Sequence, residues 1–138
     1  MELRRIDISL PKQGMSQAWI MHEDRYFYFD EPRGPKVDTV RWGGGIPLLL
    51  SGPVATRLIA EQATAQQLEL YGLDKPIMQI DLTLDNGDHI RTEIGDSTPN
   101  GQGYYIRRAD LIYAVDYTWF DVLERLVLDP PYPNAEQE

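Results

Sequence analysis

The clearest pattern in the chain is an alternation of apolar and polar side chains over residues 78–84. Gln, Asp and Thr side chains separate the apolar residues Met78, Ile80, Leu82 and Leu84. Successive side chains of an extended strand point to opposite faces, so this pattern gives one apolar and one polar face. It predicts a strand that is buried on one side only.

The turn after this strand has two candidate registers. A two-residue turn at the Asn-Gly pair would place Leu82 opposite Arg91 and mix the two faces. A three-residue loop over residues 85–87, with Gly87 in the left-handed conformation, instead places Leu82 opposite Ile90. Because a slip of one residue turns every side chain over, the match of apolar faces decides for the three-residue loop. The same register pairs Ile80 with Thr92 and Met78 with Ile94.

Two more strands are predicted over residues 104–108 and 111–116, which are rich in aromatic and β-branched side chains and flank a tight turn at 109–110. Pairing across that turn keeps like faces together. The pairs are Ile106 with Tyr113 and Tyr104 with Val115. The C-terminal half is therefore predicted to be a four-stranded antiparallel meander followed by a helix.

Two helices have clear boundary signals. Thr64 and Gln67 have the spacing of a capping box, and Gly72 then ends the helix in the left-handed conformation. A second helix is predicted to start between Thr118 and Asp121 and to end before a Pro-Pro pair. It is expected to cover the sheet with the apolar residues at helical spacing, which are Phe120, Leu123 and Val127.

The first half has weaker patterns. Alternation over residues 6–10 predicts a strand, and residues 18–22 and 25–30 predict an aromatic hairpin. The packing residues of that hairpin are predicted to be Trp19, Met21, Phe27 and Phe29. Within residues 37–62 the triple glycine at 43–45 interrupts any helix, and periodicity leaves both helix and strand open for the rest.

Composition indicates one globular domain. The chain has 138 residues, of which 42% are hydrophobic, and this is enough to build a core. Residues 1–138 are therefore taken as one α+β domain in which antiparallel β-meander sheets pack against a few helices. A finer division gives sub-halves at 1–63 and 64–133 and a flexible tail at 134–138.

Charge and residue usage exclude several classes of function. The formal net charge of −9 opposes binding to a phosphate backbone, so nucleic acid is not an expected partner. The absence of cysteine excludes disulfides and thiolate chemistry. The longest nearly apolar stretch, residues 46–50, is far shorter than the roughly 20 residues of a membrane-spanning helix, so the chain as given is expected to be soluble.

The best candidate for a binding site is the loop at residues 95–103. It is longer than most hairpin connections, and long loops on a rigid sheet often provide binding groups. Its residues are also common turn formers, so a plain solvated connection stays open as the alternative. With the aromatic pair that follows, the candidate binding residues are Asp96, Ser97, Thr98, Asn100, Gln102, Tyr104 and Tyr105.

No catalytic residue, metal site or cofactor is expected. The two histidines, His22 and His89, lack metal-binding spacing, and the glycines at 43–45 lack the Lys-Ser/Thr of a phosphate loop. Asp81 and Glu93 are expected as diagonal neighbours on the polar face, an arrangement that suits acid-base catalysis. An arginine shares that face, which favours a solvated ladder of charges instead.

Several short motifs of the second half resemble one bacterial family. They are Tyr-Gly-Leu-Asp-Lys-Pro at 71–76, Asp-Asn-Gly at 85–87, Ile-Gly-Asp at 94–96 and Tyr-Tyr-Ile-Arg at 104–107. Their order resembles the family called domain of unknown function DUF4340. The first half resembles the family more loosely, and the glycines at 43–45 depart from the helix usual there.

The resemblance implies a cellular location for the domain but no particular reaction. Members of the family typically have an N-terminal transmembrane segment with the domain outside the cytoplasm, and some accompany gliding-type transporter components. No catalytic residue is defined for them. The resemblance therefore implies an extracytoplasmic domain with a protein partner in the envelope, and an anchor that this chain lacks.

The leading hypothesis is a non-enzymatic binding or assembly module of a bacterial envelope system. It combines the absence of a catalytic constellation, the family resemblance and the long loop. The first alternative is a hydrolase that uses Asp81, Glu93 or Asp96. The second is a purely structural spacer domain, which would lack a concave ligand pocket.

Overall fold

The computed structural model describes residues 3–32, 34–42 and 55–133. The described strands are β1 (Leu3–Leu10), β2 (Met15–Met21), β3 (Phe27–Phe29), β4 (Ala55–Ala60), β5 (Met78–Leu84), β6 (His89–Ser97), β7 (Gly103–Arg108) and β8 (Leu111–Asp116). The described helices are α1 (Thr39–Trp42), α2 (Ala65–Leu70) and α3 (Tyr117–Leu128).

The eight described strands form one sheet in the order β3-β2-β1-β5-β6-β7-β8-β4, and every neighbouring pair is antiparallel. This confirms the α+β class with an antiparallel sheet. The expectation of more than one sheet is wrong, because β1 pairs with β2 on one side and with β5 on the other. An unpaired strand edge leaves backbone donors and acceptors without partners, which favours this merger.

Helix α3 packs on the apolar face of the sheet, where it contacts β1, β2, β7 and β8. Trp19, Ile80 and Ile106 are fully buried in this core, and α3 contributes Leu123 and Val127. Full burial of such a side chain contributes about 1.5–3 kcal/mol to stability. The predicted apolar face of α3 is therefore confirmed as a core-forming face.

The opposite face of the sheet is apolar only at one end. Tyr105 and Ala114 are buried there, because they alternate with Ile106 and Tyr113 on the face of α3. Leu73, which follows α2, is also buried. Towards β1 and β5 the same face has charged side chains.

The predicted turns after β5 and β7 match the structure. Gly87 has φ 89°, and β5 pairs with β6 in the register of the three-residue loop. Ala109 takes φ 54° in the tight turn between β7 and β8. The observed pairs include Leu82 with Ile90 and Ile106 with Tyr113.

The start of α2 matches the prediction, whereas the start of α3 does not. Thr64 Oγ1 accepts from the Gln67 amide at 3.2 Å, and Gln67 Oε1 accepts from the Thr64 amide at 3.0 Å, which completes the capping box. Helix α3 is capped by Asp116 rather than started between Thr118 and Asp121. Strand β8 leads directly into α3, so the last strand residue is also the cap.

The first-half hairpin is confirmed with shifted boundaries, because β2 starts earlier and β3 is shorter than predicted. Trp19, Phe27 and Phe29 are buried as predicted, and Met21 is partly buried against them. Of the ambiguous segment, residues 55–60 form strand β4. The triple glycine and the apolar run at 46–50 lie outside the described residues.

Candidate binding site

The connection between β6 and β7 is a short loop of residues 98–102 with its own hydrogen bonds. It is shorter than predicted, because β6 extends to Ser97 and β7 starts at Gly103. The Thr98 hydroxyl donates to Asn100 Oδ1 at 2.6 Å and accepts from the Gly103 amide at 3.2 Å. The Thr98 amide also donates to the Gly103 carbonyl at 2.8 Å. These bonds join the two ends of the loop to each other.

A cavity of about 420 Å³ lies between this loop and strands β4, β7 and β8. Its volume falls in the range of about 300–1,000 Å³ that is usual for ligand sites. The polar side chains that line it are Thr98, Asn100 and Gln102 from the loop, Arg57 from β4, Tyr105 from β7 and Asp116 from β8. We call this space the loop cavity.

The base of the loop cavity is open because the residues there are small. Gly103 and Ala114 line it from adjacent strands. A Cβ atom on Gly103 would lie 2.2 Å from the carbonyl oxygen of Val115, so no larger residue fits at that position. Close approach of β7 to β8 thus requires glycine at the point where the loop joins the sheet.

Arg57 and Tyr105 are polar residues of the loop cavity whose side chains have no hydrogen-bond partner among the described residues. Arg57 is exposed on β4, and its guanidinium makes no hydrogen bond or ion pair with any residue that the structure describes. Tyr105 is only 7% exposed, and its ring packs against Tyr71 at a centroid distance of 4.4 Å. Its hydroxyl likewise has no hydrogen-bond partner in the described ranges.

Asp116 gives the loop cavity its negative charge. Its Oδ1 accepts hydrogen bonds from the Thr118 hydroxyl at 2.6 Å and from the Thr118 amide at 2.9 Å. These two bonds, of which the hydroxyl has the larger effect, lower the pKa of Asp116 below its ordinary value. The carboxylate therefore stays ionised at neutral pH, with one oxygen engaged at the start of α3.

Seven binding residues were expected from the sequence, but only some of them lie together in the structure. Asp96 packs against Gly72, and Ser97 pairs with Tyr104 in the ladder between β6 and β7. Tyr104 points towards α3, where its ring lies 4.4 Å from that of Phe120. Tyr104 and Tyr105 cannot share one surface, because neighbouring strand residues face opposite sides. The residues that do line the loop cavity are Thr98, Asn100, Gln102 and Tyr105.

Sequence reasoning missed Arg57 and Asp116. Arg57 lies in the segment for which helix and strand were both open, so its position beside β8 was not predictable. Asp116 was within the predicted last strand, and the alternation that places Ala114 opposite Tyr105 also places Asp116 on that face. The alternation of faces along the strand was therefore the sequence feature that could have identified Asp116.

The carboxylates considered for catalysis belong to a ladder of ion pairs. Asp81 pairs with Arg91 at 2.9 Å, and Glu93 lies 3.7 Å from Arg107. The hydrogen bond to Asp81 raises the pKa of Arg91. Asp7 lies directly opposite Asp81 across β1 and β5. Each member of this opposed pair is held by an arginine, which compensates the repulsion between like charges.

A second depression, of about 390 Å³, lies on the same face over β1, β2 and β5. Its charged groups satisfy one another, because Arg5 binds Asp7 at 2.8 Å and Asp30 at 2.7 Å. The bond to Asp7 is the main cause of the raised pKa of Arg5. This depression therefore differs from the loop cavity, in which the arginine is unpaired among the described residues.

The histidines lie apart, each with a local partner. His22 stacks on Tyr28 at a centroid distance of 3.8 Å, and His89 Nδ1 lies 3.2 Å from Thr83 Oγ1. His22 follows β2 and His89 is in β6, and β1 and β5 lie between these strands. Within residues 3–32, 34–42 and 55–133, no group of three or more His, Asp or Glu side chains is placed to hold a metal ion.

Two of the sequence motifs contact each other near Tyr105, whose ring packs against Tyr71. The Gly95 position of β6 lies against the end of α2, where a Cβ would be 2.3 Å from the Tyr71 carbonyl oxygen. Gly72 has φ 73°, and a Cβ there would be 2.3 Å from Asp96 Oδ1. The Asp96 amide donates to the Tyr71 carbonyl at 2.9 Å. The motifs at 71–76 and 94–96 thus build a close backbone contact.

Fold and site together define a small α+β domain with one antiparallel sheet and a polar cavity at a loop. The chain belongs to the family described as domain of unknown function (DUF4340), whose model matches residues 51–129, more than half of the chain. This match confirms the resemblance based on the motifs. No curated protein and no solved structure matches the chain. None of the described helices has the length and apolar character needed to cross a membrane.

Proposed function

We propose that this domain is a non-enzymatic binding or assembly module that holds a protein partner at the loop cavity. The observation that supports the proposal most is that polar side chains of the loop cavity lack hydrogen-bond partners among the described residues. Arg57 and the hydroxyl of Tyr105 have no partner among the described residues, and the hydroxyl is open to the loop cavity although the Tyr105 ring is buried. A cavity with a few convergent polar groups is the usual form of a ligand site, so polar groups that are left unpaired there favour a ligand.

The charged side chains elsewhere favour binding over hydrolysis. Asp81 and Glu93 each lie beside an arginine on the sheet face. Ion pairs of this kind are the ordinary result of opposite charges placed as neighbours on one face of a sheet. Asp96, the third hydrolase candidate, is exposed and packs on the end of α2.

The family suggests where the partner lies. Family members typically have their domain outside the cytoplasm on a membrane anchor, so we place the partner of this domain in the bacterial envelope. Attachment to the membrane restricts diffusion to a surface and raises the effective concentration of a neighbouring partner. A site of moderate affinity is therefore sufficient for assembly.

Photocrosslinking in the native envelope tests this function. A photoreactive residue replaces Gln102 in the loop cavity of the full protein in its native membrane context. The control replaces Gln13, which is exposed in the turn between β1 and β2. We expect Gln102 to give one reproducible protein adduct that the Gln13 control does not give. Equal adducts from both positions, or none from Gln102, would contradict a partner site at the loop cavity.

A further inference from the structure

The loop cavity has a set of hydrogen-bond donors that suits a carboxylate group. Its free groups are mainly donors, namely the guanidinium of Arg57 and the hydroxyl of Tyr105. The side-chain amides of Asn100 and Gln102 line the same space. A guanidinium presents a planar fork of N–H groups that matches a carboxylate in a bidentate arrangement.

We infer that the partner inserts a carboxylate group of its polypeptide chain into the loop cavity, where Arg57 pairs with it and Tyr105 donates to it. This inference rests on the proposed function, since it names the chemical group by which the protein partner is held. The loop cavity lies beside β4, which is an edge strand of the described sheet. Arg57 is exposed on that strand.

The charges of the residues that line the loop cavity favour a carboxylate over a phosphate group as the ligand. Among the described residues, the charged side chains that line the loop cavity are one arginine and one aspartate, which balance each other before a ligand enters. A carboxylate adds one negative charge, whereas a phosphate monoester adds about two at neutral pH. Phosphate sites generally use clustered cations or several convergent backbone amides, and Asp116 would oppose the second charge.

The negative charge of Asp116 is expected to weaken the binding of a carboxylate at the loop cavity. Asp116 lines the same cavity as Arg57, so its negative charge is expected to repel an incoming anion. Asparagine is also a good helix cap, so Asp116→Asn removes the charge and keeps the start of α3. The inference therefore predicts that this substitution strengthens binding, whereas a purely structural role for the loop cavity predicts no change.

NMR titration of the domain with small probes tests the inference. The probes are an N-acetylated Gly-Ala peptide with a free C-terminal carboxylate, the same peptide as its C-terminal amide, a doubly capped peptide with one internal Glu, and inorganic phosphate. We expect the carboxylate probes to shift the amide signals of Gly101, Gln102 and Gly103 at concentrations up to about 10 mM. The amide peptide should bind about tenfold more weakly. The ratio between the two carboxylate peptides separates a chain terminus from an acidic side chain.

Single substitutions show which side chains of the domain bind the carboxylate probes. Arg57→Gln should weaken binding about tenfold, and Tyr105→Phe should weaken it several-fold while the ring packing is kept. Asp116→Asn should strengthen it. Arg125→Gln, which removes an exposed arginine of α3 outside the loop cavity, should leave it unchanged. Retained signal dispersion shows that each variant is folded.

Three results would overturn the inference. They are equal affinity for the acid and the amide peptide, tighter binding of phosphate than of either carboxylate probe, and the absence of any shift at about 10 mM. Repeating the crosslinking experiment with Arg57→Gln distinguishes a failure of the carboxylate inference from a failure of the proposed function. An adduct at Gln102 that persists unchanged in Arg57→Gln would keep the protein partner and reject the carboxylate.

Discussion

The contact between Gly95 and the end of α2 offers the sharpest test of how the family motifs build this fold. Gly95 is buried in β6, and its backbone does not have a positive φ. Alanine is therefore compatible with the backbone conformation, and the substitution Gly95→Ala tests steric fit alone. The added Cβ would lie 2.3 Å from the Tyr71 carbonyl oxygen and 3.0 Å from the Gly72 carbonyl carbon.

The expected loss follows from three effects. Overpacking against backbone atoms costs about 1–3 kcal/mol, because neither segment is a flexible side chain that moves aside. Displacement of Tyr71 also weakens its 2.9 Å bond with the Asp96 amide, worth about 0.5–1.5 kcal/mol. Alanine restricts the unfolded chain and returns about 0.4–1 kcal/mol. We expect Gly95→Ala to lower the free energy of unfolding by about 2 kcal/mol.

Urea unfolding followed by tryptophan fluorescence measures this loss, with Gly14→Ala as the control. Gly14 has φ 64°, and a Cβ at that position would have no atom within 4 Å, so its substitution costs only the left-handed conformation, about 1 kcal/mol. Gly72→Ala gives a further comparison, because its Cβ meets the side chain of Asp96. In an Asp96→Ala background the cost of Gly72→Ala should fall, whereas that of Gly95→Ala should not.

A Gly95→Ala variant as stable as the unchanged protein, or no less stable than Gly14→Ala, would refute the close contact as a constraint on the fold. Rescue of Gly95→Ala by Asp96→Ala would also contradict it, because the obstacle at Gly95 is backbone. Either result would mean that the end of α2 is free to move away from β6. The motifs would then need an explanation other than close backbone contact.

The remaining predictions concern the helix caps. Thr64→Ala removes one half of the capping box and should lower the free energy of unfolding by about 1 kcal/mol in urea titration, whereas Gln66→Ala on the same helix should change it by less than about 0.5 kcal/mol. Asp116 has a lowered pKa in the folded state, so its contribution to stability is present above the ordinary value of 3.8 and is lost as the pH falls through the folded pKa. Asp116→Asn should therefore flatten the loss of stability below pH 3.8, and an unchanged pH profile would contradict this.

Much of the second half was predictable because the deciding contacts are close in the chain. The register of β5 and β6 follows from alternation and a three-residue loop, and the structure pairs Leu82 with Ile90 as predicted. The capping box of α2 joins residues three positions apart. The start of α3 was misplaced because Thr118 and Asp121 are plausible caps, whereas the end of β8 decided for Asp116.

The candidate site was predictable in its loop and at Tyr105, but not at Arg57. Thr98, Asn100 and Gln102 follow from a turn-forming segment on a sheet, and they line the loop cavity. Tyr104 was grouped with Tyr105, although the predicted pairing of Tyr104 with Val115 already put it on the other face. The alternation of a strand, applied to both tyrosines, would have removed Tyr104 from the site.

The sequence by itself determined the alternating faces, the turn registers and the first helix cap, because each depends on neighbours within a few residues. Only the tertiary structure decided that β1 joins β5 and that β4 brings Arg57 beside Tyr105. It also decided that Gly95 meets the end of α2. These contacts join segments far apart in the chain, and their selection depends on the packing of the whole sheet rather than on any local pattern.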